Sequence, residues 1–210
     1  VYMLRNGYVA DSLFDANWAS THGGGLYVNR GMITNTIFSR NQTRLYFGGG
    51  VYVDEGLIVD SLAVSNYAST TLNSGYGGGF YASSTTEIHR AQVEYNVAAH
   101  WGGGIFMYSN GLIQASYIAS NWTHYYGGGG VYFGSNCTIR DSILATNRAS
   151  IINYANDNAR GGAINIAISG MISNCLIFDN RASRRGGGIW AQNLTLVDSV
   201  VSNNNTVYYG

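Results

Sequence analysis

The acidic side chains are the first candidates for chemistry in this sequence, because sugar-cleaving enzymes work with carboxylates. A glycosidase needs two carboxylates at a defined separation, and a calcium-assisted lyase needs clustered acids beside a strong base. The eleven acidic residues are instead scattered along the chain, and the densest charged group is Glu87, His89, Arg90 and Glu94. Ordinary surface charges explain that group as well as a site does.

The histidines, cysteines and glycines form no reactive constellation either. Cys137 and Cys175 are too few for a disulfide framework; we place Cys137 in a turn and Cys175 in the core of the next repeat, unbonded to each other. The glycine runs lack the Gly-Lys-Ser/Thr signature and the following helix of a phosphate loop. No Ser-His-Asp or Cys-His pairing is indicated, since the histidines occupy different positions of the repeat: His22, His89, His100 and His124. The sequence therefore predicts no catalytic residue, no cofactor and no metal, and thus no enzyme.

The glycine runs do mark an internal repeat. The segment Gly-Gly-Gly-Leu-Tyr-Val at 23–28 has counterparts at 48–53, 77–82, 102–107, 128–133, 161–166 and 186–191. Fifteen or sixteen residues after the first apolar residue of each segment comes an asparagine: Asn41, Asn66, Asn96, Asn121, Asn147, Asn180 and Asn204. Counting back sixteen from Asn17 leads to Val1, which makes eight repeats of about 25 residues. Such a period is typical of a solenoid.

Equivalent positions of successive repeats, here called columns, carry the pattern of the core. Eight residues before each asparagine the side chain is always aliphatic, and three residues before it is always apolar. Period-two alternation rich in β-branched and aromatic residues indicates strands. Five residues before each asparagine lies a column of small residues: Ser12, Thr36, Ser61, Ala91, Ser116, Ser142, Cys175 and Ser199.

These columns predict an all-β fold: a right-handed parallel β-helix of eight coils, forming a single domain over 1–210. Right-handed coiling is the default for parallel crossovers. Coils stacked at about 4.8 Å would give a rod on the order of 40 Å long. The two long returns, at 69–75 and 151–158, are expected to be loops on one side of the solenoid.

The repeat motifs resemble those of a known family. Gly161-Gly162-Ala163-Ile164 matches the Gly-Gly-Ala-Ile motif, and Phe38-Ser39-Arg40-Asn41 the Phe-x-x-Asn motif, of the polymorphic outer-membrane protein (Pmp) repeats. Those repeats occur in bacterial autotransporter adhesins, so the resemblance implies a surface adhesin built on a β-helix. The family's C-terminal membrane barrel and signal peptide have no counterpart in this sequence.

An aromatic column follows the glycines, and we expect it to point out of the coil. Stacked rings could stabilise the rod internally, by roughly 0.2–1 kcal/mol per pair. Alternatively, a contiguous exposed patch could bind another protomer or a glycan. A second column of bulky residues, from His22 and Phe47 to Tyr209, is expected to border the same face. The candidate interface residues are Tyr2, Tyr27, Tyr52, Tyr81, Phe106, Tyr132 and Trp190.

The asparagine column predicts a ladder of side-chain amides bonded from coil to coil. Several asparagines also begin N-glycosylation sequons: Asn41, Asn121, Asn136, Asn193 and Asn204. An asparagine buried in a ladder cannot carry a glycan, so Asn136 and Asn193, which share another turn column, are the better candidates.

Composition narrows the functional class further. Positive and negative charges balance at eleven each, which argues against a nucleic-acid-binding protein with a basic patch. No apolar run is long enough for a transmembrane helix. We expect an extracellular or cell-surface location.

The first and last residues suggest how the rod is used. The chain begins and ends at the glycine corner with no polar or helical cap, so we expect either a segment of a longer β-helix or subunits that stack end to end into a filament. The favoured function is a structural fibre, stalk or surface appendage. An adhesin that binds a glycan or receptor is the alternative, and a polysaccharide lyase or hydrolase is third.

Overall fold

The computed structural model describes residues 1–69, 74–149 and 159–208. Over these residues the chain is an all-β parallel β-solenoid of about eight turns with about 25 residues per turn. None of the described residues is in a helix. The predicted fold class is confirmed.

The first sheet carries two strand columns, one directly after the glycines and one just beyond it. In the second and third coils these two columns merge into single nine-residue strands, Leu26–Thr34 and Val51–Val59. Within the described ranges, the other strands of this sheet are Tyr2–Met3, Gly7–Ala10, Phe80–Ala82, Thr86–His89, Ile105–Ser109, Leu112–Gln114, Val131–Ser135, Cys137–Arg140, Ile164–Ile166, Gly170–Ser173, Ile189–Ala191 and Leu194–Val197.

The second and third sheets close the coil, and each contributes one short strand per turn. Among the described residues, the second sheet comprises Leu13–Asp15, Ile37–Ser39, Leu62–Val64, Gln92–Glu94, Tyr117–Ala119, Ile143–Ala145, Leu176–Phe178 and Val200–Ser202. The third comprises Trp18–Ala19, Gln42–Thr43, Tyr67–Ala68, Val97–Ala98, Trp122–Thr123, Arg148–Ala149, Arg181–Ala182 and Asn205–Thr206.

Equivalent residues lie directly above one another in every sheet. Phe80, for example, pairs with Val51 below and Ile105 above. The inward-facing side chains therefore form continuous columns of Ile, Val, Leu and Phe that are almost wholly buried. Because these columns run the length of the rod, the core is a narrow apolar stack parallel to the axis.

Among the described residues, three turn columns hold non-glycine residues in the left-handed region, and in one of them these are all asparagines: Asn6, Asn110 and Asn136. The column six residues before the ladder asparagine includes Asp60 (φ 51°) and Arg90 (φ 51°), and the column directly before the asparagine includes Tyr95 (φ 56°). Asp and Asn tolerate this conformation, whereas arginine and tyrosine adopt it at a cost of about 1–2 kcal/mol. The coil geometry, repeated from turn to turn, imposes it on them.

The asparagine ladder is formed as the sequence predicts. The backbone N–H and Nδ2 of Asn41 both donate to Oδ1 of Asn66, at 2.9 and 3.0 Å. Its Nδ2 also donates to the carbonyl of Phe14 in the preceding coil, at 2.7 Å. The same pattern continues from Asn17 to Asn204. Each interior asparagine thereby satisfies its amide inside the coil.

The glycine corner is narrow because the third sheet lies directly against it. A Cβ on Gly103 would lie 2.3 Å from the carbonyl oxygen of Gly129 and 2.5 Å from that of Trp122. The preceding residue, Gly102, has φ +64°. Both features confirm the structural interpretation of the glycine runs, namely left-handed turns and close backbone approach.

Candidate interaction surfaces

The aromatic column after the glycines forms a continuous ring stack outside the coil. The centroids of Tyr27 and Tyr52 are 4.6 Å apart with the planes 4° from parallel. The pairs Tyr52–Tyr81 and Tyr81–Phe106 follow at 4.9 Å each. Coil stacking sets this distance, because each ring lies above the equivalent ring of the previous turn.

A second aromatic column borders the first, as the sequence predicts, and also covers part of it. Phe47 stacks on Tyr81 at 4.6 Å, and Tyr76 on Phe106 at 5.1 Å. The covered rings are consequently only 7% (Tyr81) and 4% (Phe106) exposed. The expectation of a continuous exposed face is wrong at these two positions, because the chain segment before each glycine run folds back over the column. A contact role for the remaining members stays a prediction.

The column changes character towards the higher-numbered coils. Asn165 takes the aromatic position and is 1% exposed, while Trp190 in the next coil lies under the Arg160 guanidinium, 4.7 Å from the ring centroid. Burial lowers the pKa of Arg160, with Arg185 and Arg184 adding to that direction. A cation–π contact thus replaces ring-on-ring stacking there.

The tyrosines of the stack are not acid–base groups. Burial raises the pKa of Tyr81, Tyr132 and Tyr52 above the ordinary value of 10.0, and neighbouring phenols and Asp54 add to the rise for some of them. Their hydroxyls therefore stay neutral at physiological pH. The stack works as packing surface.

The charged group of the fourth coil does not converge on one point. His89 Nε2 lies 2.8 Å from Glu87 Oε2, whereas Arg90 pairs with Asp60 of the preceding coil through two bonds of 2.7 and 2.9 Å. That pairing lowers the pKa of Asp60. Across 1–69, 74–149 and 159–208, no three His, Cys, Asp or Glu residues group so as to hold a metal ion.

The aspartates of the column six residues before the ladder asparagine act as turn formers. Asp11 and Asp141 both have positive φ. Asn35 Nδ2 donates to Asp11 at 2.6 Å, and Asn174 Nδ2 donates to Asp141 at 2.8 Å. These bonds join neighbouring coils and create a polar ladder on the outside of the turn.

Both cysteines are buried and unbonded to each other. Cys175 lies in the small-residue column, as predicted. The expectation that Cys137 lies in a turn is wrong: it begins the strand Cys137–Arg140 and faces the apolar core. Burial raises the pKa of the Cys137 thiol to about 11.

The sequons divide by burial. Asn41 and Asn121 are fully buried ladder members, and Asn204 is a half-buried one. Asn136 and Asn193 are exposed in a shared turn column that also contains Ser169. The structure thus confirms the placement on which the choice of Asn136 and Asn193 rested.

Sequence reasoning missed an outward row on the third sheet. The residue directly after each ladder asparagine points away from the coil, while its neighbour, such as Ala68 or Thr123, points inward. The position directly after the asparagine recurs once per coil and could have been noticed for that reason, but its residues are aromatic, amide, aliphatic and basic. They are Trp18, Gln42, Tyr67, Val97, Trp122, Arg148, Arg181 and Asn205. We call these eight residues the third-sheet row.

Neighbouring side chains contact two rings of this row, those of Tyr67 and Trp122. His124 Nε2 lies 3.3 Å from the Tyr67 hydroxyl oxygen, and its ring centroid lies 4.5 Å from that of Trp122. The Arg148 guanidinium lies 5.9 Å from the Trp122 centroid. Burial lowers the pKa of His124, so its imidazole is neutral at pH 7.

The chain matches no family model, no curated protein and no solved structure.

The two long returns predicted as loops, at 69–75 and 151–158, lie largely outside the described residues. Within the described part of the chain, no helix has the length and apolar character needed to span a bilayer.

Proposed function

We propose that this chain is a structural subunit or segment of an extracellular β-helical fibre, stalk or surface appendage. The observation that carries the proposal is the unbroken axial ladder of asparagine amides from Asn17 to Asn204. Such a ladder, with three sheets and an apolar core parallel to it, suits a load-bearing rod whose cross-section is constant.

The ladder has a direction that favours head-to-tail stacking. Each asparagine donates its backbone N–H and Nδ2 to Oδ1 of the next higher coil. Within the described residues, Oδ1 of Asn17 receives no such bond, and Asn204 donates to no higher coil. In a copy stacked head to tail, Asn204 would meet Asn17 with donors facing an acceptor.

An extracellular or cell-surface location is supported by two sequence features. The motifs at 161–164 and 38–41 resemble the Pmp repeats of bacterial surface adhesins. The exposed sequons at Asn136 and Asn193 also suit a secreted protein. We therefore also propose that this chain is related to the Pmp repeats.

Sedimentation velocity and electron microscopy of the 210-residue chain test end-to-end association. Val201 continues the core column of Ile177 and is 43% exposed, so Val201→Arg should leave single rods where the unaltered chain forms longer ones. Leu176→Arg, on the lateral face, is the matched control and should stack normally. Single rods of the unaltered chain at every concentration would overturn the stacking proposal.

A further inference from the structure

The third-sheet row combines solvent-facing aromatic rings, one exposed and two half-buried, with a regular spacing. Trp18, Tyr67 and Trp122 lie two coils apart, with Gln42 and Val97 between them. Two coil spacings amount to about 10 Å. Trp18 is 60% exposed, and Tyr67 and Trp122 are half-buried. The result is a straight series of rings at equal intervals along the rod.

An extended β-1,4-linked polysaccharide has a matching repeat. Each sugar is turned by half a rotation relative to the last, so equivalent faces recur at every second sugar, and one sugar is nearly as long as one coil spacing. Aromatic side chains offer flat apolar surfaces with polar edges, which suit the C–H faces of pyranose rings. Rings on alternate coils would therefore stack on alternate sugars of a chain lying parallel to the axis.

The upper part of the row adds positive charge. Arg148 and Arg181 are direct partners in adjacent strands, and both are exposed. Like charges placed opposite each other in a sheet are destabilising. Neither guanidinium forms an ion pair with an acid among the described residues. A bound anion between them would relieve that repulsion through charge-assisted hydrogen bonds.

We propose that the third-sheet row binds an extended acidic β-1,4-linked polysaccharide along the rod axis. The rings of Trp18, Tyr67 and Trp122 stack on alternate sugars, and Arg148 and Arg181 bind carboxylates. This role adds to the proposed structural one and does not depend on end-to-end stacking. Single-stranded nucleic acid fits less well, because its bases follow one another at shorter intervals than these rings.

The direct test is calorimetric titration of the full chain with a β-1,4-mannuronate hexasaccharide. Cellohexaose has the same linkage without carboxylates and serves as the matched ligand. We expect the mannuronate hexamer to bind more tightly than cellohexaose, and its affinity to fall as salt is added. Absence of mannuronate binding, or tighter binding of a thymidine oligonucleotide, would overturn the proposal.

Variants locate the site. Trp18→Ala should weaken binding about tenfold, as expected for an aromatic hot spot, and Arg181→Gln should weaken it about threefold. Tyr117→Ala on the second sheet and Arg140→Gln, an exposed arginine of the first sheet, should leave affinity unchanged. Because Trp18 and Arg181 are exposed, folding of these variants is expected to be normal and is checked by circular dichroism. Equal affinity for all four variants would refute the assignment of this row.

Discussion

Asn96 donates two hydrogen bonds to a single oxygen of Asn121: its backbone N–H and its Nδ2 both lie 3.0 Å from Oδ1. Both residues are fully buried. The Asn121 side chain thus supplies the acceptor for a backbone N–H of the preceding turn. The same oxygen, Oδ1, also accepts the side-chain bond of the ladder.

Replacing Asn121 with alanine should destabilise the rod strongly. The change leaves two buried donors of Asn96 without their acceptor, at about 1–3 kcal/mol each. We expect the free energy of unfolding in urea, followed by circular dichroism, to fall by about 4 kcal/mol. Asn17→Ala is the control, since Asn17 is exposed, and should cost about 1 kcal/mol or less. Equal losses for the two variants would contradict a cooperative buried ladder.

Phe106 should be as important as a core residue although it lies outside the coil. It is 4% exposed between the stacked rings of Tyr81 and Tyr132 and under Tyr76. We expect Phe106→Ala to lower the free energy of unfolding by about 3 kcal/mol. Tyr2→Ala, at the 63% exposed start of the column, should change it by about 0.5 kcal/mol or less. A neutral Phe106 variant would show that the outer stack contributes little.

Cys137 should make the fold weaker at alkaline pH. The raised pKa of about 11, against an ordinary 9.0, means that the folded state favours the protonated thiol. That contribution is complete below pH 9 and is lost as the pH rises towards 11. Between pH 9 and pH 11 the unaltered chain should therefore lose about 2 kcal/mol of unfolding free energy relative to Cys137→Ala. Tyrosines titrate in both proteins, so parallel curves would exclude the Cys137 contribution.

N-glycans should attach only where the sequon asparagine is exposed. When the chain is secreted from a eukaryotic cell, we expect mass spectrometry to find glycans at Asn136 and Asn193, whose side chains face solvent. Folded protein should carry none at Asn41 or Asn121, because a glycan there would break the ladder. Thr138→Ala and Thr195→Ala should each remove one glycan. A modified Asn121 in folded material would disprove this division.

The sequence determined the coil count and the ladder because those features repeat in register. Val1, aligned with Leu26 by counting alone, indeed precedes the Tyr2–Tyr27 pair. Burial on the outside of the coil could not be predicted, since it depends on how the variable return before each glycine run folds over its neighbours. That is why Tyr81 and Phe106 proved covered.

Columns of mixed chemistry were missed for a related reason. The third-sheet row contains aromatic, amide, aliphatic and basic residues, so no single residue type marks it as a column. Cys137 was predicted to lie in a turn because Asn136, directly before it, is a turn residue. The turn is confined to Asn136, since one strand ends at Ser135 and the next begins at Cys137. Strand boundaries of this kind depend on hydrogen-bond register, which side-chain pattern alone does not fix.

The nearly constant distance from glycine corner to asparagine also determines how this protein can change in size. Every interior coil receives hydrogen bonds from one neighbour and gives them to the other, so an inserted or deleted interior coil, cut at its glycines, would leave donors and acceptors balanced. Evolution could therefore lengthen or shorten the rod by duplicating whole turns, in increments of about 4.8 Å. The length of the rod is therefore set by its number of coils.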